Sequence, residues 1–363
     1  MICKEISVND ASVKAKTAKT AVLSAAVLLS LFPDISRDAV REAISMCLER
    51  LIPSLFCFTV LSGIVVSMGM TNGLKRLLLP LRRAFGLSSK GAEIFLLGNL
   101  CGFPIGAMAS AEAKKNGEIT ENEAIRVAAA SNNVSIGFAV AYVGDTVLES
   151  RSVGMAIYLF QFLASVIVLL ISRRLLPHSS KDNEITSSEK DNIFCNAVTS
   201  SAVTCLGISG FVCVFSAILA YVGAAADVLS LPQWTKAVVG VILEISSGCK
   251  SAEILSGYFK VFAVAFAIGF SGVSVIAQSA SFFKNASISL TPYAALKTAQ
   301  GLLCAVITVL YCRLCPVSLP AFLFENDSFI FDERLMPAIA LALILCHFLT
   351  LFARKVFHLG KYS

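Results

Sequence analysis

Charged residues are scarce in this 363-residue chain. Asp, Glu, Lys and Arg together make up 15% of the residues, against about 25% in an average soluble domain, so too few polar groups exist to cover a globule in water. Hydrophobic residues make up 56%, in runs such as 52–70, 153–172 and 211–226. A run of about 20 apolar residues crosses a bilayer as a helix. The composition therefore excludes a soluble globular protein and predicts a polytopic membrane protein.

Histidine and catalytic motifs are also scarce. The three histidines lie far apart in the sequence, and the twelve cysteines lie mostly within apolar segments, where they act as small hydrophobic side chains. A single CxxC, at 312–315, is weak evidence for metal or redox chemistry. The chain has no HExxH, GxSxG or Walker A sequence, and its SxxK at 247–250 is a pattern that arises easily by chance. We therefore expect no enzyme activity, no cofactor and no bound metal.

Positive charge is concentrated beside the apolar runs. The net charge of +6 comes from clusters of Lys and Arg at 14–19, 75–83, 173–174 and 354–355. Positive residues next to a span favour the cytoplasmic side of a membrane, so these clusters indicate orientation and contact with membrane lipid. They predict a multi-pass protein of the cell membrane with both termini in the cytoplasm and no nucleic-acid partner.

A hydrophilic linker divides the chain into two similar halves. In each half we predict a span, a broken segment, a segment with a polar centre and a closing span. The predicted organisation is an N-terminal span and amphipathic stretch at 1–51, a first repeat at 52–176, a cytoplasmic linker at 177–196, a second repeat at 197–315, and an extracytoplasmic loop with a last span at 316–363.

The two halves align, and their orientations are opposite. Residues 97–102 align with 243–248, an offset of 146 residues, and 133–135 align with 272–274, an offset of 139. The positive clusters predict that the first half runs from outside to inside and the second from inside to outside. The fold prediction is therefore an all-α transmembrane helical bundle with two inverted-topology repeats, the symmetry that supports alternating access.

Each predicted repeat contains a break in an apolar segment, LGNLCGFPIGA at 97–107 and LEISSGC at 243–249. An unpaired backbone group in hydrocarbon costs several kcal/mol, so non-helical chain is tolerated only where protein or water surrounds it. Broken helix ends also leave free N–H groups and a partial positive charge. We predict two broken or re-entrant helix hairpins that meet near the bilayer midplane. The alternative is a pair of packing kinks, since Gly and Pro are common in membrane helices.

Polar residues near these breaks are the candidate site. Glu244 and Lys250 are predicted to be embedded ion-coupling residues, because a charge inside a membrane normally faces a partner or a cavity; a structural Glu244–Lys250 pair is the alternative. Lys297 and Gln300 are further candidates to line the cavity. The candidate solute-binding residues are Asn99, Gly102, Phe103, Pro104, Gly106, Asn132, Asn133, Ser135, Ser246, Ser247, Gly248, Ser271, Gly272, Ser274 and Gln278.

The ordered set of motifs resembles the YlbJ family of sporulation integral membrane proteins. The segments that carry the resemblance are 97–133, 243–249, 269–278 and 289–303, within about 52–311. The family is similar to nucleoside-recognition, or gate, membrane domains, so the resemblance implies a cell-membrane protein with a role in endospore formation and names no solute. The family motifs fall on Gly102, Phe103, Pro104, Gly106, Asn132, Asn133, Glu244, Gly248, Gly272 and Gln278.

The sequence thus supports three functional hypotheses. The first is a secondary-transporter-like protein that moves or gates an unknown small polar or anionic solute by alternating access between the two repeats. The second is a non-transporting membrane scaffold for spore envelope assembly, acting as a homo-oligomer or with sporulation membrane partners. The third and weakest is an intramembrane enzyme that uses Ser247 and Lys250.

Overall fold

The computed structural model describes residues 27, 30–67, 75–177 and 192–314. These ranges are almost entirely helical and contain no β-strand, which confirms the predicted all-α bundle. Four of the described helical stretches are long and apolar enough to cross a membrane: Arg151–Leu175, Ile193–Val228, Gly257–Ala286 and Leu290–Leu314. The last predicted span, the loop before it, most of the linker and most of the first predicted span lie outside the described residues, so the orientation of the termini stays a prediction.

The described chain begins with an amphipathic helix, as the sequence predicts. Helix α1, Pro33–Met46, starts with a proline in its first turn and continues through a π-helical turn, Cys47–Leu51, into the apolar helix α2, Ile52–Ser67. Proline fits the first turn because its missing N–H has no intrahelical partner there. A basic helix, α3, follows at Lys75–Phe85. Helices α1 and α2 both pack against the long helix α8, defined below.

The remainder of the first half forms two broken hairpins and a long span. Ser88 caps the first hairpin by accepting a hydrogen bond from the Gly91 amide at 3.0 Å, and Thr120 caps the second through the Glu123 amide at 3.3 Å. Such caps supply acceptors to the otherwise unpaired first-turn amides. The elements are α4 at Ser89–Cys101, α5 at Ile105–Lys115, α6 at Glu121–Ser131, a π-helical segment at Phe138–Val147 and α7 at Arg151–Leu175.

The second half repeats this order of elements. Its elements are α8 at Ile193–Val228, α9 at Gln233–Leu243, α10 at Ile245–Ser251 with a short 3₁₀ turn at Ala252–Ile254, α11 at Gly257–Phe270, α12 at Gly272–Ala286 and α13 at Leu290–Leu314. The sequence predicts a polar centre near 271 but no interruption there. In the structure the chain breaks at Ser271, whose φ of 71° is left-handed.

The structure corrects the register of the alignment between the halves. In the first hairpin Gly98 lies against Gly106, and in the second Gly240 lies against Gly248. The offset between these glycine pairs is 142 residues (240 − 98 and 248 − 106), so the expected offset of 146 is wrong here. The closing helices α7 and α13 are both 25 residues long and start 139 residues apart (290 − 151). That second offset agrees with the one read from the sequence; common ancestry and inverted topology stay predictions.

Helix α13 joins the two halves. It packs most extensively along α11 of its own half, and it also contacts α7 and α6 of the first half. Its residues facing these helices are buried, among them Lys297, Gln300 and Gly301. Polar side chains from the second half therefore reach the breaks of the first half.

Candidate functional sites at the two helix breaks

The breaks of the first half are in direct contact with each other. Gly102 ends α4 with a φ of 83°, a left-handed conformation suited to glycine. The Phe103 amide then donates a 2.6 Å hydrogen bond to the carbonyl oxygen of Asn133, at the second break. A Cβ atom on Gly106 would lie only 2.5 Å from Ser131 Oγ, so glycine allows the backbones to approach closely. The predicted break at Gly102–Gly106 is thus a packed junction between two hairpins.

Six buried polar residues from both halves meet at this junction, which we call the amide junction. Asn133 is at its centre: its Nδ2 donates to Asn99 Oδ1 at 2.8 Å, and its Oδ1 accepts from Gln300 Nε2 at 2.6 Å. Because Asn99 and Asn133 belong to the first half and Gln300 to the second, these bonds tie the halves together. The amide junction comprises Asn99, Asn132, Asn133, Gln161, Lys297 and Gln300.

Lys297 supplies the positive charge of the amide junction. Its side chain is fully buried, and its Nζ donates to Asn132 O at 3.1 Å, Asn133 Oδ1 at 3.2 Å and Gln300 Oε1 at 3.3 Å. All three acceptors are neutral oxygens, and an ammonium group has three N–H donors. The Asn132 carbonyl lies at the C-terminal end of α6, where a helix carries partial negative charge. Three protein oxygens therefore surround the Lys297 amine.

Hydrogen bonds around the amide junction leave few of its atoms without a partner. Asn132 Nδ2 donates to the Tyr293 hydroxyl at 2.8 Å, and Gln161 accepts from the amide of Val134 at 3.4 Å and donates to its carbonyl at 3.3 Å. Gln161 and Gln300 occupy equivalent positions on α7 and α13, 139 residues apart. Within the described ranges, Asn132 Oδ1 is the only buried side-chain atom of this junction that lacks a hydrogen-bond partner.

The breaks of the second half surround a carboxylate. Glu244 ends α9 and caps α10: its Oε2 accepts a 2.6 Å hydrogen bond from the Ser247 amide. The side chain is 1% exposed, and no protein group among the described residues hydrogen-bonds its Oε1. Gly272, at the next break, brings its backbone close enough that a Cβ there would lie 3.4 Å from Glu244 Cα.

A small cavity lies beside this carboxylate. It leaves about 10 Å³ for the centre of a water molecule, close to the minimum that holds one water. Four of its lining residues carry polar side chains, and we call them the carboxylate junction: Glu244, Ser246, Ser274 and Gln278. The other lining residues are Leu51, Phe103, Ile208, Phe211, Val212, Ile245 and Val275.

The two junctions are neighbours. Phe103 lines the cavity of the carboxylate junction, and its amide hydrogen-bonds Asn133 of the amide junction. Most candidate residues predicted from the sequence lie at one junction or at its breaks. Ser135 packs against Gly102, and Ser247 instead shares a 3.0 Å hydrogen bond with Ser216 of α8. Ser271 Oγ is buried and has no hydrogen-bond partner among the described residues.

Lys250 does not join the site. It lies on the exposed side of α10 and forms an ion pair with Glu42 of α1. Lys250 is therefore not embedded beside Glu244 as predicted, and the alternative of a structural Glu244–Lys250 pair is wrong as well. Lys250 lies near the end of the seven-residue helix α10 and points away from Glu244. Its partner, the Glu42 carboxylate, is brought close by the packing of α1 and is not evident from the local sequence. Over the ranges that the structure describes, no cluster of three or more His, Cys, Asp and Glu side chains is placed to hold a metal ion.

The sequence indicates Lys297 and Gln300 only as further candidates to line the cavity, and it does not point to Gln161 or Tyr293 as site residues. Each of these four residues lies on a long apolar span and is fully or almost fully buried. A polar side chain in such a span is itself a signal of a functional or interhelical contact. Two of the three partners of Lys297, Asn132 and Asn133, lie more than 160 residues away in sequence, which no local pattern reveals.

Comparison with known proteins gives one significant relative. The chain is 28% identical over 317 residues to the sporulation integral membrane protein YlbJ of Bacillus subtilis, covering 77% of this chain and 78% of that protein. No family model matches the chain, and no solved structure matches it. The apolar spans and this relative agree on a multi-pass integral membrane protein. The chain is therefore similar to a sporulation integral membrane protein, in agreement with the resemblance to the YlbJ family that its motifs indicate.

Proposed function

We propose that this chain is a sporulation-associated, secondary-transporter-like protein. It moves or gates a small polar or anionic solute by alternating access at a site between its two broken-helix repeats. The observation that carries the proposal is the amide junction, where Lys297 and Gln300 of the second half hydrogen-bond Asn132 and Asn133 at a helix break of the first half.

Burying the polar groups of the amide junction costs free energy. A polar side chain in hydrocarbon or in a protein interior is unfavourable unless it is hydrogen-bonded. A scaffold has no need of a lysine, five carboxamides and two interrupted helices at its centre, whereas a solute pathway uses interrupted backbone to line its site. The junction is also divided between the halves, so a movement of one half against the other exchanges its protein hydrogen bonds for bonds to solute or water.

The composition of the two junctions supports a polar or anionic solute. The amide junction offers carboxamide donors and acceptors and one ammonium group, a set that binds hydroxyl, amide or anionic groups. The carboxylate junction, beside it, supplies the single charge suited to ion coupling, Glu244. We therefore assign solute binding to the amide junction and coupling to Glu244, and we propose no enzymatic step.

The test is flux through purified protein in liposomes. A panel of metabolites is loaded, and uptake and efflux are compared for the wild type, Asn133→Ala and Glu244→Gln. The matched control is Lys236→Gln, because Lys236 is partly exposed and lies outside both junctions. We expect at least one solute whose flux is abolished by both junction variants and unchanged in the control. Flux that is intact in both junction variants would overturn the site assignment.

The relationship to YlbJ supports the sporulation context. In a Bacillus subtilis strain that lacks YlbJ, expression of this chain is expected to restore heat-resistant spores, and expression of Asn133→Ala is not. Equal rescue by both, with equal amounts of protein in the membrane, would show that spore formation does not use the amide junction.

One observation favours a scaffold as the second candidate. The cavity beside Glu244 has room for about one water and not for a metabolite. A scaffold predicts that polar substitutions at both junctions are tolerated whenever the protein still inserts. It also predicts that cross-links to other membrane proteins form at the loop between α5 and α6, whether or not the junctions are intact.

A further inference from the structure

Glu244 is a buried carboxyl group, and the described residues that line the cavity beside it include no basic side chain. Lys250, the nearest cation in sequence, pairs with Glu42 instead. Two ionisable groups near the Glu244 carboxylate are the thiols of Cys47 and Cys249, which bring no positive charge. No Lys, Arg or His is among the described residues that line the cavity. An ionised carboxylate in such surroundings is strongly unfavourable unless a cation or a proton accompanies it.

The cavity matches a cation in both size and chemistry. Ser247 holds Oε2 through its amide, which leaves Oε1 as the carboxylate oxygen available to the cavity. The other polar lining groups are the hydroxyls of Ser246 and Ser274 and the carboxamide of Gln278. Carboxylate, hydroxyl and carbonyl oxygens are the ligands that hard metal cations prefer. Around them lie seven apolar side chains, which exclude water and strengthen the attraction between a cation and the carboxylate.

The charge of Glu244 and the volume of the cavity indicate which cation fits the site. One carboxylate balances one positive charge, so the site suits a monovalent ion better than Ca²⁺ or Mg²⁺, which usually have more than one carboxylate ligand in dedicated protein sites. A space for about one water molecule holds a dehydrated ion of the size of Na⁺. The amide junction shows the same arrangement with a tethered cation, since three protein oxygens surround the Lys297 ammonium.

We propose that the carboxylate junction binds one dehydrated monovalent cation of the size of Na⁺. Glu244 is the charged ligand, and Ser246, Ser274 and Gln278 are neutral ligands. Because Glu244 and Ser246 belong to the α9–α10 hairpin and Ser274 and Gln278 to α12, the ion holds the two breaks of the second half together. The role of this ion in transport rests on the proposed function, whereas its binding can be measured without knowledge of the solute.

The experiment is thermal unfolding of the full chain in detergent at constant ionic strength. NaCl, LiCl or KCl replaces choline chloride stepwise. A ligand that binds only the folded state raises Tm with its concentration, and we expect Na⁺ to raise Tm by about 2 °C or more, K⁺ to have less effect and choline none. Glu244→Gln should abolish the Na⁺ effect, and Glu253→Gln, an exposed acidic residue of the same segment, should retain it.

A second variant keeps the test informative if Glu244→Gln does not fold. Ser274→Ala removes one neutral ligand and should shift the Na⁺ dependence at least threefold towards higher concentration. The proposal is overturned if Na⁺, K⁺ and choline give the same Tm in the wild type. It is also overturned if Tm follows pH but not the cation, which would show a protonated Glu244. Failure of solute flux with an intact Na⁺ effect would instead reject the proposed function and leave the ion site standing.

Discussion

At the amide junction, Lys297 donates to three neutral oxygens, whereas at the carboxylate junction Glu244 leaves Oε1 without a partner among the described residues. The first junction contains its own amino group, covalently attached to α13, with three oxygen partners in place. The second contains an anion beside a water-sized cavity. The two junctions lie at corresponding breaks of the two halves, but one contains a basic residue and the other an acidic residue. The basic residue has three hydrogen-bond partners, whereas one oxygen of the acidic residue has none among the described residues.

The difference follows from which residue occupies each break. With the offset of 142, Gly102 of the first half corresponds to Glu244 of the second; with the offset of 139, Asn133 corresponds to Gly272. In the first half a glycine faces the polar break that contains Asn133, and in the second half a glycine faces Glu244. In each half, a glycine at one break leaves room for a polar residue at the other break. The glycine comes first in the first half (Gly102, then Asn133) and second in the second half (Glu244, then Gly272).

The largest predicted effect comes from removing the tethered cation. Lys297→Met keeps most of the side-chain volume but leaves three buried oxygens without this donor, each at a cost of about 1–3 kcal/mol. We expect the free energy of unfolding in detergent to fall by about 3 kcal/mol. Lys236→Met is the control, because Lys236 makes only a surface ion pair with Asp227 at 2.5 Å and should change stability by less than about 1 kcal/mol. A Lys297→Met protein as stable as the wild type would contradict the structure of the amide junction.

The next effect tests the equivalence of the two hairpins. A Cβ on Gly106 would approach Ser131, and one on Gly248 would overlap the carbonyl of Gly240, so alanine at either position forces the backbones apart. Each substitution should destabilise the protein by about 1–3 kcal/mol. Gly210→Ala in α8 has no atom within 4 Å of the added Cβ and should be neutral or stabilising by up to about 1 kcal/mol. If only one of the two alanine substitutions destabilised the protein, the two hairpins would not be structurally equivalent.

A smaller effect is expected at the edge of the amide junction. Tyr293→Phe removes the hydroxyl that bonds Asn132 Nδ2 at 2.8 Å and shares a 3.1 Å hydrogen bond with Ser279, and it should cost about 1 kcal/mol. Tyr311→Phe is the matched control, since its ring packs on Phe160 and the substitution retains that contact. Equal stability of the two variants would show that Tyr293 does not support the junction.

The smallest effect concerns Lys250, because the Glu244–Lys250 pair that the sequence offers as an alternative is not present in the structure. Lys250→Gln breaks only a surface ion pair with Glu42, so stability should change by less than about 1 kcal/mol and the Na⁺ dependence of Tm should stay as in the wild type. If Lys250→Gln abolished the Na⁺ dependence of Tm, Lys250 would have to contribute to the carboxylate junction, which would contradict the structure.

The positions of the first breaks in each half could be predicted because they rest on local chemistry. Glycine and proline interrupt the helix at Gly102–Pro104, and a glutamate inside an apolar run identifies Glu244. The break at Ser271 has no such signal, since serine is tolerated in helices and its left-handed φ of 71° depends on the packing around it. The sequence also predicts the amphipathic α1 and the long spans α7 and α13, whose hydrophobicity patterns are local.

The pairing of residues across the halves could not be predicted in the same way. Lys297 meets Asn132 and Asn133 only because α13 contacts α6, and helix packing is not encoded in the spacing of either segment. The same reason explains the error at Lys250, whose partner Glu42 lies 208 residues away. The register error of four residues between the hairpins arose because apolar helices resemble one another in composition. The glycine pairs Gly98–Gly106 and Gly240–Gly248 define the register only once their contacts are known.

Direct binding of radioactive Na⁺ to the purified protein tests the contrast between the junctions most directly. The account predicts saturable binding of one Na⁺ per chain in the wild type and in Asn133→Ala, because the amide junction already contains the Lys297 ammonium. It predicts no saturable binding in Glu244→Gln. Saturable binding that survives in Glu244→Gln, or that disappears in Asn133→Ala while the protein remains folded, would contradict the assignment of the cation to the carboxylate junction.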